Sequence, residues 1–140
     1  RHCTFPALEK VKLFRLTLFN FLVGNEDMHL KNFSLIRRGV KVELSPAYDL
    51  VNTTIAIKNP VEELALPLRG KKSHLQARDF FEYYGRERMS LTQKSIDRIT
   101  AIFRKRFPAW EEMIEISFLS EEAKAAYGRL VSQRRKVLSL

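Results

Sequence analysis

Gly24-Asn25-Glu26-Asp27-Met28-His29-Leu30-Lys31-Asn32-Phe33, followed at a distance by Ser45-Pro46-Ala47-Tyr48-Asp49-Leu50, is the stretch that decides how this chain is read. Its first part is polar and has no clear period, yet patterned segments frame it. Upstream, Leu8, Val11, Phe14, Leu18, Phe21 and Leu22 recur at helical spacing. Thr4 ahead of Pro6 predicts the start of that helix, a cap residue with proline in the first turn. Gly24 predicts its end in the left-handed conformation. Downstream, Phe33–Ile36 and Val40–Leu44 are short β-prone runs flanking Arg37-Arg38-Gly39, the signal of a hairpin with glycine in its turn. Ser45-Pro46 breaks that hairpin, because proline restricts the residue before it, and Tyr48-Asp49-Leu50 follows in irregular chain.

Working outward, residues 51–70 are loop-like, punctuated by Pro60, Pro67 and Gly70. Two capping-box signatures come next. Ser73 with Gln76 predicts a helix to about Tyr84, closed by Gly85; Ser90 with Gln93 predicts another to Phe107, burying Ile96, Ile99, Phe103 and Phe107 along one stripe. Pro108 restarts the chain as a helix through Trp110 and Ile114. Ser120 caps a last helix whose Ala123, Ala126, Tyr127 and Leu130 face inward while Arg134, Arg135 and Lys136 are solvated. The fold class is mainly α with a small β-hairpin, in one domain.

Composition agrees with a globular chain. The 140 residues are 45% hydrophobic and 29% charged, enough apolar content to bury a core and too little polarity for a disordered segment. The net charge of +9 suits an anionic partner such as a nucleotide, nucleic acid or membrane surface, and suits plain solvated surface equally well. Cys3 is the single cysteine, which excludes a disulfide framework and a thiolate zinc site and makes a reducing, cytoplasmic setting the default. The best apolar run, Leu16 to Gly24, is interrupted by Thr17 and Asn20 and falls well short of the ~20 residues a membrane span needs. The chain opens on Arg1 rather than Met, and is expected to be a piece of a longer protein.

Asp27 and Asn32 are five residues apart, the interval between the Asp and Asn of a protein-kinase catalytic loop, and Asp49 follows across the predicted hairpin. Phosphoryl transfer needs such a set: a carboxylate to accept the proton of the attacking hydroxyl, with an amide and a second carboxylate to hold Mg²⁺ against nucleotide phosphates. Asp27 and Asn32 alone fit an Asx-rich turn bonded to its own backbone just as well.

The whole string is more specific. Asp27-Met28-His29-Leu30-Lys31-Asn32-Phe33 after a helix ending Phe19-Asn20-Phe21, then a hairpin, then Ser45-Pro46-Ala47-Tyr48-Asp49-Leu50, resembles the HipA-like serine/threonine kinases, the toxin halves of bacterial toxin–antitoxin pairs. The motif order matches throughout residues 14–52, and a weaker likeness, including Ala65-Leu66-Pro67-Leu68-Arg69-Gly70-Lys71-Lys72, covers most of the chain.

The resemblance implies that Asp27 is the catalytic aspartate and that Asn32 and Asp49 are the magnesium ligands. It leaves His29 and Lys31 as residues that touch phosphate or position the loop; a structural His29 and a solvent-facing Lys31 are the alternatives. Asn20 and Asn25 are expected to bond loop backbone, and Tyr48 to pack. The implied substrate is ATP, with Mg²⁺ as cofactor and transfer of the γ-phosphoryl group to a protein hydroxyl, on a target of the translation-component type. The implied partner is a HipB-like helix-turn-helix antitoxin, with DNA met only indirectly through it and no membrane.

Gly24, Gly39, Gly70, Gly85 and Gly128 are too scattered for a phosphate-cradling loop. The resemblance assigns that part to a preceding nucleotide-binding lobe. Residues 1–140 are then a carboxy-terminal lobe, with 1–57 carrying the catalytic loop, hairpin and metal-binding segment and 73–140 a helical subdomain. A non-catalytic, kinase-derived module that docks an antitoxin or DNA is the competing reading. Arg104, Lys105 and Arg106 on one predicted helix, and Arg134, Arg135 and Lys136 on another, bear on it: they meet phosphates or form solvated helix faces.

Overall fold

The computed structural model describes residues 2–56 and 61–140; position 57, where the first segment was expected to end, and Pro60 lie outside the described residues. Helix α1 (Pro6–Val23) opens the fold, and a 3₁₀ turn (Leu30–Asn32) interrupts the polar stretch that follows. An antiparallel hairpin of β1 (Leu35–Arg38) and β2 (Lys41–Leu44) comes next. A π-helix (Asp79–Arg88), α2 (Gln93–Glu115) and α3 (Glu121–Leu138) complete the described elements. The architecture is the expected one, mainly helical with a small hairpin.

Helix α1 is the axis of the core. Its Phe14, Leu18, Phe21 and Leu22 are fully buried against Phe80 of the π-helix, Ile96, Ile99, Phe103 and Phe107 of α2, and Val131 and Leu138 of α3. The Phe21 and Phe80 ring centroids lie 4.6 Å apart. Leu8, placed on the inner face by its spacing, is exposed because it precedes the part of α1 that other helices cover.

Several boundaries move. Phe5, not Thr4, is the N-cap of α1, with Pro6 at the first turn as expected. Thr4 instead extends the hairpin edge, its N–H donating to Val42 O at 2.8 Å and its Oγ1 accepting from Val42 N at 2.8 Å. Glu9, in the first turn, is buried; one carboxylate oxygen accepts from Lys12 Nζ at 2.9 Å and the other from Leu44 N at 2.9 Å. The hairpin is thereby fastened to α1. Its strands sit further along than the β-prone runs, and Arg38 pairs with Lys41 so that Gly39, at φ 60, heads the connecting turn.

Ser73 does not cap the next helix. Asp79 does the equivalent work, its Oδ2 accepting from Gln76 N at 3.0 Å. Gly85 does not close it either, since the π-helix continues to Arg88. The reason for a glycine there is close packing: a Cβ would lie 3.0 Å from Phe14 Cε2 and 3.2 Å from Ile96 Cδ1. Ser90 adopts a left-handed φ of 56, and Thr92 caps α2 by accepting from Ser95 N.

Pro108 was expected to end one helix and start another, yet α2 runs straight through it. Proline inside a helix costs about 3 kcal/mol, and packing beyond it offsets that. Trp110 meets Phe19, Phe103 and Phe107 edge-on at centroid distances of 5.5, 6.0 and 5.3 Å, and Ile114 is buried. Ser120 caps α3 as expected, accepting from Ala123 N at 3.2 Å.

Gly24 holds α1 to everything that follows. Its φ of 72 caps the helix, and a Cβ there would meet Leu130 Cδ2 at 2.5 Å and Thr54 Oγ1 at 2.7 Å. Gly24→Ala should therefore cost about 2–4 kcal/mol in urea unfolding, left-handed strain plus overpacking. Gly70→Ala, at φ 76 with open space around it, should cost about 1 kcal/mol. Glu43 provides a pH test. The Lys41 ammonium, donating to it, and then Lys12 hold its carboxyl below the ordinary value of 4.5, although burial opposes them. A depressed carboxyl contributes stability that is present above the unfolded value and lost as pH falls through the folded one. Glu43→Gln should flatten the fall of the unfolding midpoint in acid, below about pH 4.5.

Candidate functional site

Gly24 turns the chain out of α1 and into the polar stretch. Its carbonyl accepts from Thr53 N at 3.0 Å and Thr54 N at 3.1 Å, so the loop after α1 and the segment after Asp49 meet at one point. Asn25 is completely buried beneath them. Its Oδ1 accepts from Asp27 N at 3.1 Å, and its Nδ2 donates to Asn20 Oδ1 at 3.3 Å and Asp49 O at 3.4 Å. Asn25 bonds loop backbone as expected, whereas the Asn20 side chain meets the loop only through the Asn25 amide.

Above this floor stand the residues singled out by spacing. Asn32, buried in the 3₁₀ turn, donates from Nδ2 to Asp27 O at 3.0 Å and to Asp49 Oδ2 at 3.1 Å. One side chain thus ties the backbone of the first aspartate to the carboxylate of the second. Asp49 takes a left-handed φ of 55, which Asp tolerates better than most residues and which aims its carboxylate back at Asn32. The Asp27 side chain is half exposed, and His29 Nε2 lies 3.4 Å from its Oδ1.

The structure therefore brings Asp27, His29, Asn32 and Asp49 together. Lys31 is different: its side chain is exposed, while its carbonyl accepts from Tyr48 OH at 3.3 Å. Tyr48, expected to pack, is exposed instead, and its hydroxyl hydrogen bond links the segment before Asp49 to the one before Asn32.

Among the described residues no three His, Cys, Asp or Glu side chains converge as a metal cage. An open carboxylate–amide pair is nonetheless the donor set that suits Mg²⁺, which keeps several waters and takes one or two protein ligands plus phosphate oxygens. Asn32 turns Nδ2, not Oδ1, toward Asp49. A half-turn about the terminal torsion of the amide, which is soft, would present Oδ1 instead and give up both Nδ2 hydrogen bonds.

Sequence reasoning missed the outer support. Thr53 Oγ1 accepts from Glu26 N at 2.9 Å, and Thr54 Oγ1 donates to Glu26 Oε1 at 2.7 Å. Two adjacent threonines shortly after Asp49 were the available signal. Arg134, expected to be solvated, is buried: its guanidinium lies 4.4 Å over the Phe21 ring and 3.0 Å from Glu63 Oε1. Burial draws that guanidinium below its ordinary value, and the Glu63 and Glu26 carboxylates oppose the shift. Arg135 is half-buried too, 4.0 Å over Phe107 and paired with Glu111 at 3.2 Å. Arg104, Lys105 and Arg106 are exposed between buried Phe103 and Phe107, the wet face of an amphipathic helix.

A helix, a catalytic-loop-like turn, a hairpin and a returning aspartate define a HipA-type carboxy-terminal fold, and comparison with known proteins agrees. The profile of the HipA-like C-terminal domain matches residues 1–111, so the chain belongs to that family. The serine/threonine-protein kinase toxin HipA of Shewanella oneidensis is 40% identical over 50 residues, 36% of this chain and 12% of its own length. The candidate kinase Y4mE of Sinorhizobium fredii is 42% identical over 48 residues, 34% of this chain and 11% of its own length. The chain thus spans only a small part of these relatives. The fold also matches HipA in the Shewanella oneidensis complex of HipA, HipB and operator DNA, with a TM-score of 0.73, 22% identity, and coverage of 94% of this chain and 32% of that one. Among the described residues no helix is long and apolar enough to cross a membrane.

Asn25 carries the loop, so Asn25→Ala should strand the Asp27 N–H and the Asp49 carbonyl without partners. Unfolding in urea should show a loss of about 1–3 kcal/mol, with the hairpin and helices otherwise retained by circular dichroism.

Proposed function

We propose that this chain is the catalytic-loop-bearing part of an ATP- and Mg²⁺-dependent serine/threonine protein kinase of the HipA toxin type. The observation that carries the reading is the double hydrogen bond of Asn32, to Asp27 O and to Asp49 Oδ2. It supports the reading by tying the Asp27 backbone to the Asp49 carboxylate, so that two carboxylates and an amide, the groups that in-line phosphoryl transfer requires, belong to one loop junction.

Asp27 orients the attacking hydroxyl and accepts its proton. The carboxylate is accessible for that, and His29 Nε2 lies 3.4 Å from it. Asp49 and Asn32 are the residues that would hold Mg²⁺, with Asp49 giving formal charge and Asn32 a neutral oxygen. When bound, the ion supplies charge neutralisation on the phosphate oxygens. Lys31, exposed in the 3₁₀ turn next to Asn32, is the compact cation that would meet phosphate.

The partner on this reading is a HipB-like antitoxin, as in the Shewanella oneidensis complex whose HipA shares this fold. The substrate is a protein hydroxyl, on a translation component in the family's manner. The setting is cytoplasmic. The Arg104, Lys105 and Arg106 face carries no groove-reading pattern, which leaves DNA contact to the antitoxin.

Asp27→Asn tests the base. The amide is nearly isosteric but cannot accept the proton, so in the full-length protein nucleotide affinity should hold while transfer falls by about 10²–10⁴-fold. Asp49→Ala should instead weaken Mg²⁺–ATP binding, followed by titration in the same preparations. Transfer undiminished in Asp27→Asn would sink the general-base assignment.

A further inference from the structure

We propose that the corner where α2 meets α3 is a docking surface for a basic amphipathic helix of a partner protein, whose apolar anchors enter the pocket between α1, α2 and α3. The inference goes beyond the kinase reading and does not depend on the role of Asp27.

The corner presents apolar side chains to solvent. Phe118 is fully exposed, Ile116 and Met113 are 74% and 65% exposed, and Leu119 is exposed too. Single exposed apolar residues are ordinary, whereas a group of them marks an interaction site. The turn that carries them is fixed by its own hydrogen bonds. Ile116 N donates to Glu112 O at 3.0 Å, and Ser117 donates to Ile114 O from N at 3.2 Å and from Oγ at 2.6 Å. Ser120 then caps α3. Beside the turn is an apolar pocket of about 310 Å³, lined by Val23 of α1, Trp110 and Ile114 of α2, and Val131 of α3, with the exposed Met113 and Leu119 completing its wall. An apolar cavity of about 150 Å³ holds a benzene ring, so this pocket has room for roughly two large side chains.

Charge selects the partner. From Phe107 to Ala123 the chain has no Lys or Arg, while Glu111, Glu112, Glu115, Glu121 and Glu122 flank the apolar group. Arg135 pairs with Glu111 at 3.2 Å and Lys124 with Glu121 at 2.8 Å. Glu112, Glu115 and Glu122 are exposed and in no ion pair among the described residues. On a chain of net charge +9 this corner is acidic. It attracts cations and repels anionic lipid and nucleic acid. The walls of the pocket are helices, which offer no strand edge, so the occupant has to satisfy its own backbone, as a helix does. Apolar residues at i and i+4 of a helix lie about 6 Å apart on one face, a spacing that suits a pocket with room for two side chains. The thioether of Met113 adapts to whatever enters. The family profile ends at residue 111, so the corner lies outside the part that it describes.

Fluorescence anisotropy on the full-length protein tests this with a labelled synthetic helix of roughly 18 residues, leucines at i, i+3, i+4 and i+7 and lysines elsewhere, and a counterpart with glutamates for the lysines. The lysine helix should bind with a roughly micromolar dissociation constant, at least ~10-fold more tightly than the glutamate helix. Met113→Ser combined with Phe118→Ser should weaken it at least ~10-fold. Glu112→Gln, Glu115→Gln and Glu122→Gln together should flatten its salt dependence. All five side chains are exposed, so the urea midpoint should stay native; should the serine pair not fold, the glutamine triple decides. Equal binding of the two helices, or binding indifferent to both sets of substitutions, would overturn the proposal. So would a dimer in sedimentation that Phe118→Ser abolishes, which would give the face to a second copy, or capture by phosphatidylglycerol vesicles that the same change abolishes. Asp27→Asn should bind the lysine helix like the native protein, so failure of the kinase reading shows in transfer and failure of this one in anisotropy.

Discussion

At Gly24 the chain has to end a helix, reverse into a loop, and let two other segments approach its backbone. A left-handed φ meets the first two demands, and the missing side chain meets the third, since Leu130 and Thr54 occupy the space a Cβ would need. The Gly24 carbonyl then collects the N–H groups of Thr53 and Thr54. Everything chemical in the molecule hangs from that junction. The Asp27 carbonyl and the Asp49 carboxylate, far apart along the chain, share the Asn32 amide because both of their segments are fastened to the same residue.

The same logic explains why the floor of the loop is an asparagine. A buried amide offers one acceptor and two donors, and Asn25 uses them on Asp27 N, Asn20 Oδ1 and Asp49 O. An apolar residue would leave those polar groups unpaired at a cost of about 1–3 kcal/mol each. A charged one would need a counter-ion in a place that has none to spare. The charged groups are used one layer out, where Glu9, Lys12 and Glu43 fasten the hairpin to α1 and Arg134 with Glu63 ties α3 to the segment ahead of the π-helix.

Residues whose roles depend on near neighbours were legible in the sequence. The α1 stripe, the αL stop at Gly24, the hairpin, the Ser120 cap and the buried face of α2 are all patterns of short range. Asp27, Asn32 and Asp49 were singled out only by the likeness of the whole string to the HipA-like kinases, because their spacing alone fits an Asx-rich turn. What the sequence hid was set by tertiary contact. Pro108 sits inside α2 because Trp110 packs against three phenylalanines. Gly85 lies inside a helix because Phe14 and Ile96 press on it. Arg134 looks like one of a solvated basic run, and only the fold shows that Phe21 and Glu63 are waiting for it.

That hidden class of contact also accounts for how the likenesses are distributed. The family profile covers residues 1–111, while the fold match extends over 94% of the chain and so includes much of α3. An amphipathic helix can wall a loop through very few of its side chains. Here Leu130 fills the gap left by Gly24 and Arg134 supplies one charge, paired with Glu63, while Glu122, Arg129 and Lys136 are exposed. Local sequence patterns are dense where the chain must build a loop from its own backbone, as between Gly24 and Asp49. They thin out where a regular helix needs only to arrive at the right place with the right residue on its inner face.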